Sequence, residues 1–134
     1  MPKLEEDMTL QGKQGYRFLI VEDNCFAMDI MATFLVKRGF RVDLAENGAV
    51  GLAKYLANPL SYHLIFMDLQ MKVMNGYEAA RRIRSSGMEN AVQIPIVAMS
   101  GKPLDDVESR HFQGCLRKPF ALQLILSFIE ELLC

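Results

Sequence analysis

Five short apolar runs, each followed by an amphipathic stretch, constrain the fold of this chain more than any other feature. The runs are Phe18–Val21, Val42–Ala45, Leu64–Met67, Ile96–Met99 and a weaker one at Cys115–Leu116. Their hydrophobicity is continuous rather than alternating, as expected of strands buried on both faces of a parallel sheet. Pro95 is compatible with this because it stands at the start of its strand. Between the runs, Phe26, Ile30 and Phe34 recur at helical spacing and predict a helix with these three on its apolar face, ended by Gly39. Asn47-Gly48 opens a second helix that Asn58-Pro59 closes, and Asn75-Gly76 opens a third that runs to about Ser85. Pro103 is placed for the first turn of a fourth, and the last runs from about Ala121 to Leu133. Five strands each followed by a helix make a (βα)5 chain, an α/β fold whose right-handed crossovers put helices on both faces of a doubly wound sheet.

The 134 residues suit one domain, read here as 16–134 behind a linker or appended remnant at 1–15. Fifteen Lys and Arg against sixteen Asp and Glu leave no basic excess for nucleic acid. The apolar runs are far shorter than the roughly 20 residues of a membrane span, so no membrane contact is expected. Cys25, Cys115 and Cys134 have no metal-site or bridge spacing and read as thiols in a reducing cytoplasm.

In an open parallel sheet, ligands bind beyond the carboxyl ends of the strands. There the sequence puts Glu22 and Asp23, Asp68, Ser100 and Gly101, and Lys118 before Pro119. Any one of them could be turn or capping chemistry. Together they cannot, because like charges about 4 Å apart repel by about 4 kcal/mol at an effective dielectric near 20. Three clustered acids need a cation or raised pKa values. Hard oxygen ligands suit Mg2+, which prefers carboxylates together with phosphate oxygens. The residues therefore describe a metal-assisted phosphate site.

Four segments carry a family resemblance: FLIVEDN from Phe18, FMDLQMKVMNG from Phe66, IPIVAMSG from Ile94 and LRKPF from Leu116. In this order and spacing they resemble the signatures of the response-regulator receiver domain, over about Tyr16 to Leu133. The resemblance implies a flavodoxin-like strand order 2-1-3-4-5. It implies Asp68 as phosphoacceptor, attacking the phosphohistidine of a histidine kinase or histidine phosphotransfer protein. Asp23 would bind Mg2+ (or Mn2+) directly, Glu22 through water, and the Gln70 backbone carbonyl would add a ligand. Ser100 matches the switch hydroxyl, with Gly101 leaving room beside it, and Lys118 matches the lysine that pairs with Asp68 and then with the phosphoryl group. Gln70 and Lys102 flank that group and are expected to tune its lifetime. Such a protein catalyses its own phosphorylation and slow dephosphorylation rather than turnover of a substrate. The wording DLQM is closer to receivers of hybrid histidine kinases than to those fused to DNA-binding domains.

Three departures stand out. Lys72 replaces the usual proline, Cys115 replaces an aromatic switch residue, and the stretch from Ser100 to Lys118 is about four residues short of the family's usual length. Phe112 and Phe120 are the alternatives for the aromatic role. The altered output face keeps a second reading open, a phosphorylation-independent interaction module on the same fold. A flavin or nucleotide binder would need an anion-binding loop where Glu22-Asp23 stands. A dehalogenase-type phosphatase would need an acid where Gln70 stands. In the last helix, Leu122, Ile125, Leu126, Ile129, Leu132 and Leu133 form one face, while Leu124 and Phe128 widen it and predict self-association or docking to another domain.

Overall fold

A computed structural model describes residues 15–104 and 109–133. Its strands are β1 (Arg17–Val21), β2 (Arg41–Ala45), β3 (Leu64–Asp68), β4 (Ile96–Ser100) and β5 (Gly114–Arg117). They form one parallel sheet in the order β2-β1-β3-β4-β5. The helices are α1 (Cys25–Val36), α2 (Gly48–Ala57), α3 (Gly76–Arg84) and α4 (Gln123–Leu133), with 3-10 turns at Pro59–Ser61 and Ser109–His111.

Alternate residues of each central strand feed two cores. Phe18, Ile20 and Phe66 pack with Met31, Leu35, Ile125 and Ile129 of α1 and α4. Leu19, Val21, Ile65 and Met67 pack with Tyr55, Ala79 and Ile83 of α2 and α3. Because both faces are covered, the strands read as unbroken apolar runs. Three asparagines start the helices that follow β1, β2 and β3. The side chains of Asn24, Asn47 and Asn75 accept the backbone N–H of Ala27, Val50 and Glu78. The chain therefore turns sharply at the carboxyl edge of the sheet.

Several expectations need correction. In α1, Phe26 and Ile30 are 79% and 53% exposed, while Met31, Ala32 and Leu35 are buried. This helix is apolar around most of its circumference, so helical spacing alone could not say which stripe meets the sheet. No α-helix follows β4 among the described residues. Pro103 and Leu104 are irregular, residues 105–108 lie outside the described set, and the 3-10 turn Ser109–His111 leads into β5. In α4, Leu124 is exposed but Phe128 packs against the core. A Cβ at Gly114 would run into the Phe128 ring, so β5 leaves a place for that ring. The predicted linker, apart from Gly15, and Cys134 also lie outside the described residues. His63 is structural: it stacks on Tyr16, and its Nδ1 accepts the Arg17 N–H.

Candidate active site at the carboxyl edge of the sheet

Glu22 follows β1, Asp68 ends β3, Ser100 ends β4 and Lys118 follows β5, so the sheet order brings them together. Glu22, Asp68 and Ser100 are buried, whereas Asp23 is exposed. Carboxylate oxygens of Glu22, Asp23 and Asp68 lie within 4.8 Å of one another. The Lys118 ammonium stands 2.9 Å from Glu22 Oε1 and 3.4 Å from Asp68 Oδ2. Backbone donors complete the carboxylates, since Asn24 N–H donates to Glu22 Oε2 and Gln70 N–H to Asp68 Oδ1, each at 3.1 Å.

Burial pushes the Glu22 carboxyl above its usual pKa, and neighbouring Asp68 adds to the rise. Lys118 and the Asn24 N–H oppose it without cancelling it. Burial would lower the Lys118 ammonium, but its hydrogen bond to Glu22 and the Asp68 charge raise it instead. Lys118 is therefore firmly cationic, yet one lysine cannot neutralise three acids. The donor set of clustered hard oxygens with a negative surplus fits Mg2+. Glu22, Asp23 and Asp68 are the side chains that could hold it.

Ser100 Oγ accepts the Lys102 N–H at 3.0 Å, and the Ser100 carbonyl accepts the Lys118 N–H at 2.8 Å. The second bond ties the end of β5 to β4 and sets where the lysine begins. A Cβ at Gly101 would meet nothing within 4 Å, so the space beside it is open. Gly76 serves a purpose other than a flexible turn. A Cβ there would collide with the Asp68 carbonyl, so glycine is needed for close approach to the acid's own backbone.

The family model for the response regulator receiver domain matches residues 18–130. The chain belongs to that family. It is 33% identical over 128 residues to the peroxide stress-activated histidine kinase mak1 of Schizosaccharomyces pombe, a match covering 91% of this chain and 8% of that protein. It is similar in structure to the receiver of the response regulator Ssk1 of Saccharomyces cerevisiae, solved in complex with the histidine phosphotransfer protein Ypd1. That match has a TM-score of 0.78 and 30% identity, and covers 89% of each chain. The receiver of a Pseudomonas aeruginosa sensor histidine kinase, solved with magnesium in its active-site cleft, matches at 27% identity and a TM-score of 0.77. That match covers 88% of this chain and 97% of the other. This receiver thus spans a small fraction of the length of the histidine kinase mak1.

The departures from the family pattern have distinct settings in this receiver. Lys72 is exposed beside Val73, whose φ of 73° is uncommon for a β-branched residue. Cys115 lies in β5 opposite Ala98, half-buried, and burial pushes its thiol up. Phe112 is buried on the same side of the sheet and meets Tyr77 edge-on at 6.0 Å, whereas Phe120 packs with the α1–α4 core. Phe112 thus shares an apolar cluster with Cys115, and Phe120 belongs to the cluster on the other face.

Two features escaped the sequence. The Arg84 guanidinium donates five hydrogen bonds, to the carbonyls of Ala91, Ile94 and His111 and to the Gln113 side chain. It clamps His111 and Gln113, at the end of the β4–β5 connection, onto α3. Nothing in the sequence sets Arg84 apart from Arg81 and Arg82, which pair with Glu78. The second is an open cleft of about 500 Å3 beside the acids, lined by Glu22, Asn24, Ile30, Lys118, Phe120 and Leu122. Exposed Ile30 connects it to Phe26 along α1.

Proposed function

We propose that this receiver accepts a phosphoryl group on Asp68 from a phosphohistidine, and that the modified site switches partner interactions. An Asp68 carboxylate oxygen attacks phosphorus, the new P–O bond forms as the P–N bond breaks, and the imidazole leaves. Lys118 holds the acceptor carboxylate at first and offers its positive charge to the incoming phosphoryl oxygens. Ser100, once its hydroxyl turns from the Lys102 N–H, donates to one of those oxygens. Asp23, Asp68 and the Gln70 carbonyl, with Glu22 through water, would hold Mg2+ or Mn2+, which would supply charge neutralisation. Gln70 and Lys102 then govern how water reaches the acyl phosphate.

The observation that carries the reading is a buried Asp68 within reach of both an ammonium and two further carboxylates. Incubation with a small acyl phosphate, followed by mass measurement with and without EDTA, tests it. One labile phosphoryl group is expected, dependent on Mg2+ and absent from Asp68→Asn. Labelling of that variant at the wild-type rate would refute the assignment.

The donor is a histidine phosphotransfer protein or a histidine kinase, in keeping with the complex known for the Ssk1 receiver. Its imidazole has to reach Asp68, so its surface must cover the cleft rim. Ile30 lines that cleft, and together with Phe26, one turn away on α1, it offers exposed apolar area. With Phe128 packed inward, α4 keeps Leu124 as its exposed apolar side chain for self-association. The larger apolar surface belongs to α1. A phosphorelay of this kind works in the cytoplasm. No helix among the described residues is long and apolar enough to cross a membrane.

A further inference from the structure

We infer that Gly48, the first residue of α2, is a positioning residue for the metal and phosphoryl site, acting through the carbonyl of Met74. The inference rests on the functional reading above. The loop between β3 and α3 leaves the site at Asp68 and returns at Gly76. At its start the Gln70 N–H is held by Asp68 Oδ1 at 3.1 Å, and at its end the Gly76 N–H is held by the Leu69 carbonyl at 3.2 Å. Between them the chain turns through Val73 at φ 73°, closed by a hydrogen bond from Met74 N–H to the Lys72 carbonyl at 2.9 Å. Val73 is 84% exposed, so its own side chain does not hold this conformation. A β-branched residue in the left-handed region persists where its surroundings over-determine it.

The outer support comes from α2. Gly48 N–H donates to the Met74 carbonyl at 3.0 Å, and a Cβ at residue 48 would collide with that carbonyl and crowd the one of Asn75. Glycine at the helix start therefore lets the helix and the loop meet backbone to backbone. Alanine would normally favour a helix over glycine. Here it would push the loop away from α2, and the displacement would pass along the turn to the segment carrying Gln70. Lys72, where a proline would have restrained the turn, increases the reliance on this outer contact.

The test is a Mg2+ titration followed by the amide resonances of Gln70 and Met74, in wild type, Gly48→Ala and Tyr55→Phe. Tyr55 bonds Asn90 at the far end of α2, so its variant loosens the same helix away from the loop. Gly48→Ala should weaken Mg2+ binding by about tenfold, the scale expected when a group supporting a ligand-bearing segment is lost. Tyr55→Phe should lower the melting temperature and leave the Mg2+ affinity alone. In the wild type, by reciprocity, Mg2+ should slow hydrogen exchange at the Gly48 amide while the Val50 amide, bonded to Asn47 Oδ1, changes little. This second measurement decides the matter should Gly48→Ala fail to fold. Normal Mg2+ binding by the wild type, with an unchanged affinity in Gly48→Ala or no added protection at Gly48, would overturn this inference alone. A wild type that does not bind Mg2+ would overturn the functional reading as well.

Discussion

Lys118 is held closer to Glu22 than to Asp68, at 2.9 Å against 3.4 Å, although Asp68 is its expected partner during phosphoryl transfer. Glu22 is the more tightly tied because its carboxylate is buried and takes the ammonium at one oxygen and the Asn24 N–H at the other. Glu22 thus holds the lysine beside the acceptor. Charge supplied by a bound cation would relax the Glu22–Lys118 contact and leave Lys118 available to the phosphoryl group.

The raised Glu22 pKa should make Mg2+ binding depend on pH. The folded value lies above the unfolded value of about 4.3, so ionisation costs the folded protein stability as pH rises through the folded pKa. Below the unfolded value the penalty vanishes. Mg2+ requires the ionised form, so the rise in melting temperature on adding Mg2+ should be small near pH 4.5 and grow as pH climbs through the Glu22 titration. Thermal melts of wild type and Glu22→Gln across about pH 4 to 8 check this. The variant should show a flatter pH dependence, and equal slopes in the two proteins would count against Glu22.

On α1, Phe26→Glu with Ile30→Glu should slow phosphotransfer from a phosphorylated histidine phosphotransfer protein by about tenfold or more, the loss expected of interface anchors. Labelling by a small acyl phosphate should stay within about twofold. Stability should shift by less than about 1 kcal/mol, because both side chains already face solvent. Equal slowing with both donors would place the defect in the site rather than on a docking face.

Arg84→Met should destabilise the fold by about 3 kcal/mol, since it strands carbonyls that the guanidinium now satisfies. Arg84→Lys should recover little, because an ammonium cannot reproduce the planar fork. Urea unfolding gives the stability, and hydrogen exchange at Phe112 and Gln113 should quicken selectively. Unchanged exchange there would show that the clamp does not hold the β4–β5 connection.

Cys115 should weaken the coupling between phosphorylation and the outer surface without impairing phosphorylation. A small side chain gains few contacts on moving inward, so the two states differ little at this position. Phe112 stays packed on Tyr77. Loading with a phosphoryl mimic and Mg2+ should shift amides near Ser100 and few beyond β5. Cys115→Tyr should widen that response at unchanged Mg2+ affinity. A large two-state shift across β4 and β5 in the wild type would contradict the expectation.

The strand positions and the chemistry of the strand ends were legible in the chain because both follow from local rules, whereas the strand order came from the family resemblance. Phe18–Val21 and Leu64–Met67 are apolar without interruption because both faces of the sheet are covered. Acids placed just after such runs fall on the carboxyl edge whatever the details of packing. Asn24, Asn47 and Asn75 start helices through side chains bonded three residues ahead, which again needs no distant partner. Tertiary structure decided the rest. Which stripe of α1 meets the sheet depends on how Met31 and Leu35 fit among Phe18 and Leu126, and Phe26 and Ile30 are left outside. Arg84 reaches Ala91, Ile94 and His111 and so holds the 3-10 turn before β5, and Phe128 turns inward because Gly114 leaves it room. Lys118 meets Glu22 across 96 residues of sequence, and Gly48 meets Met74 through backbone atoms, which leave no side-chain signal in the sequence. Residue types and spacing determined which groups could do chemistry, while their pairing required packing between elements remote in the chain, where composition and period carry no information about distance.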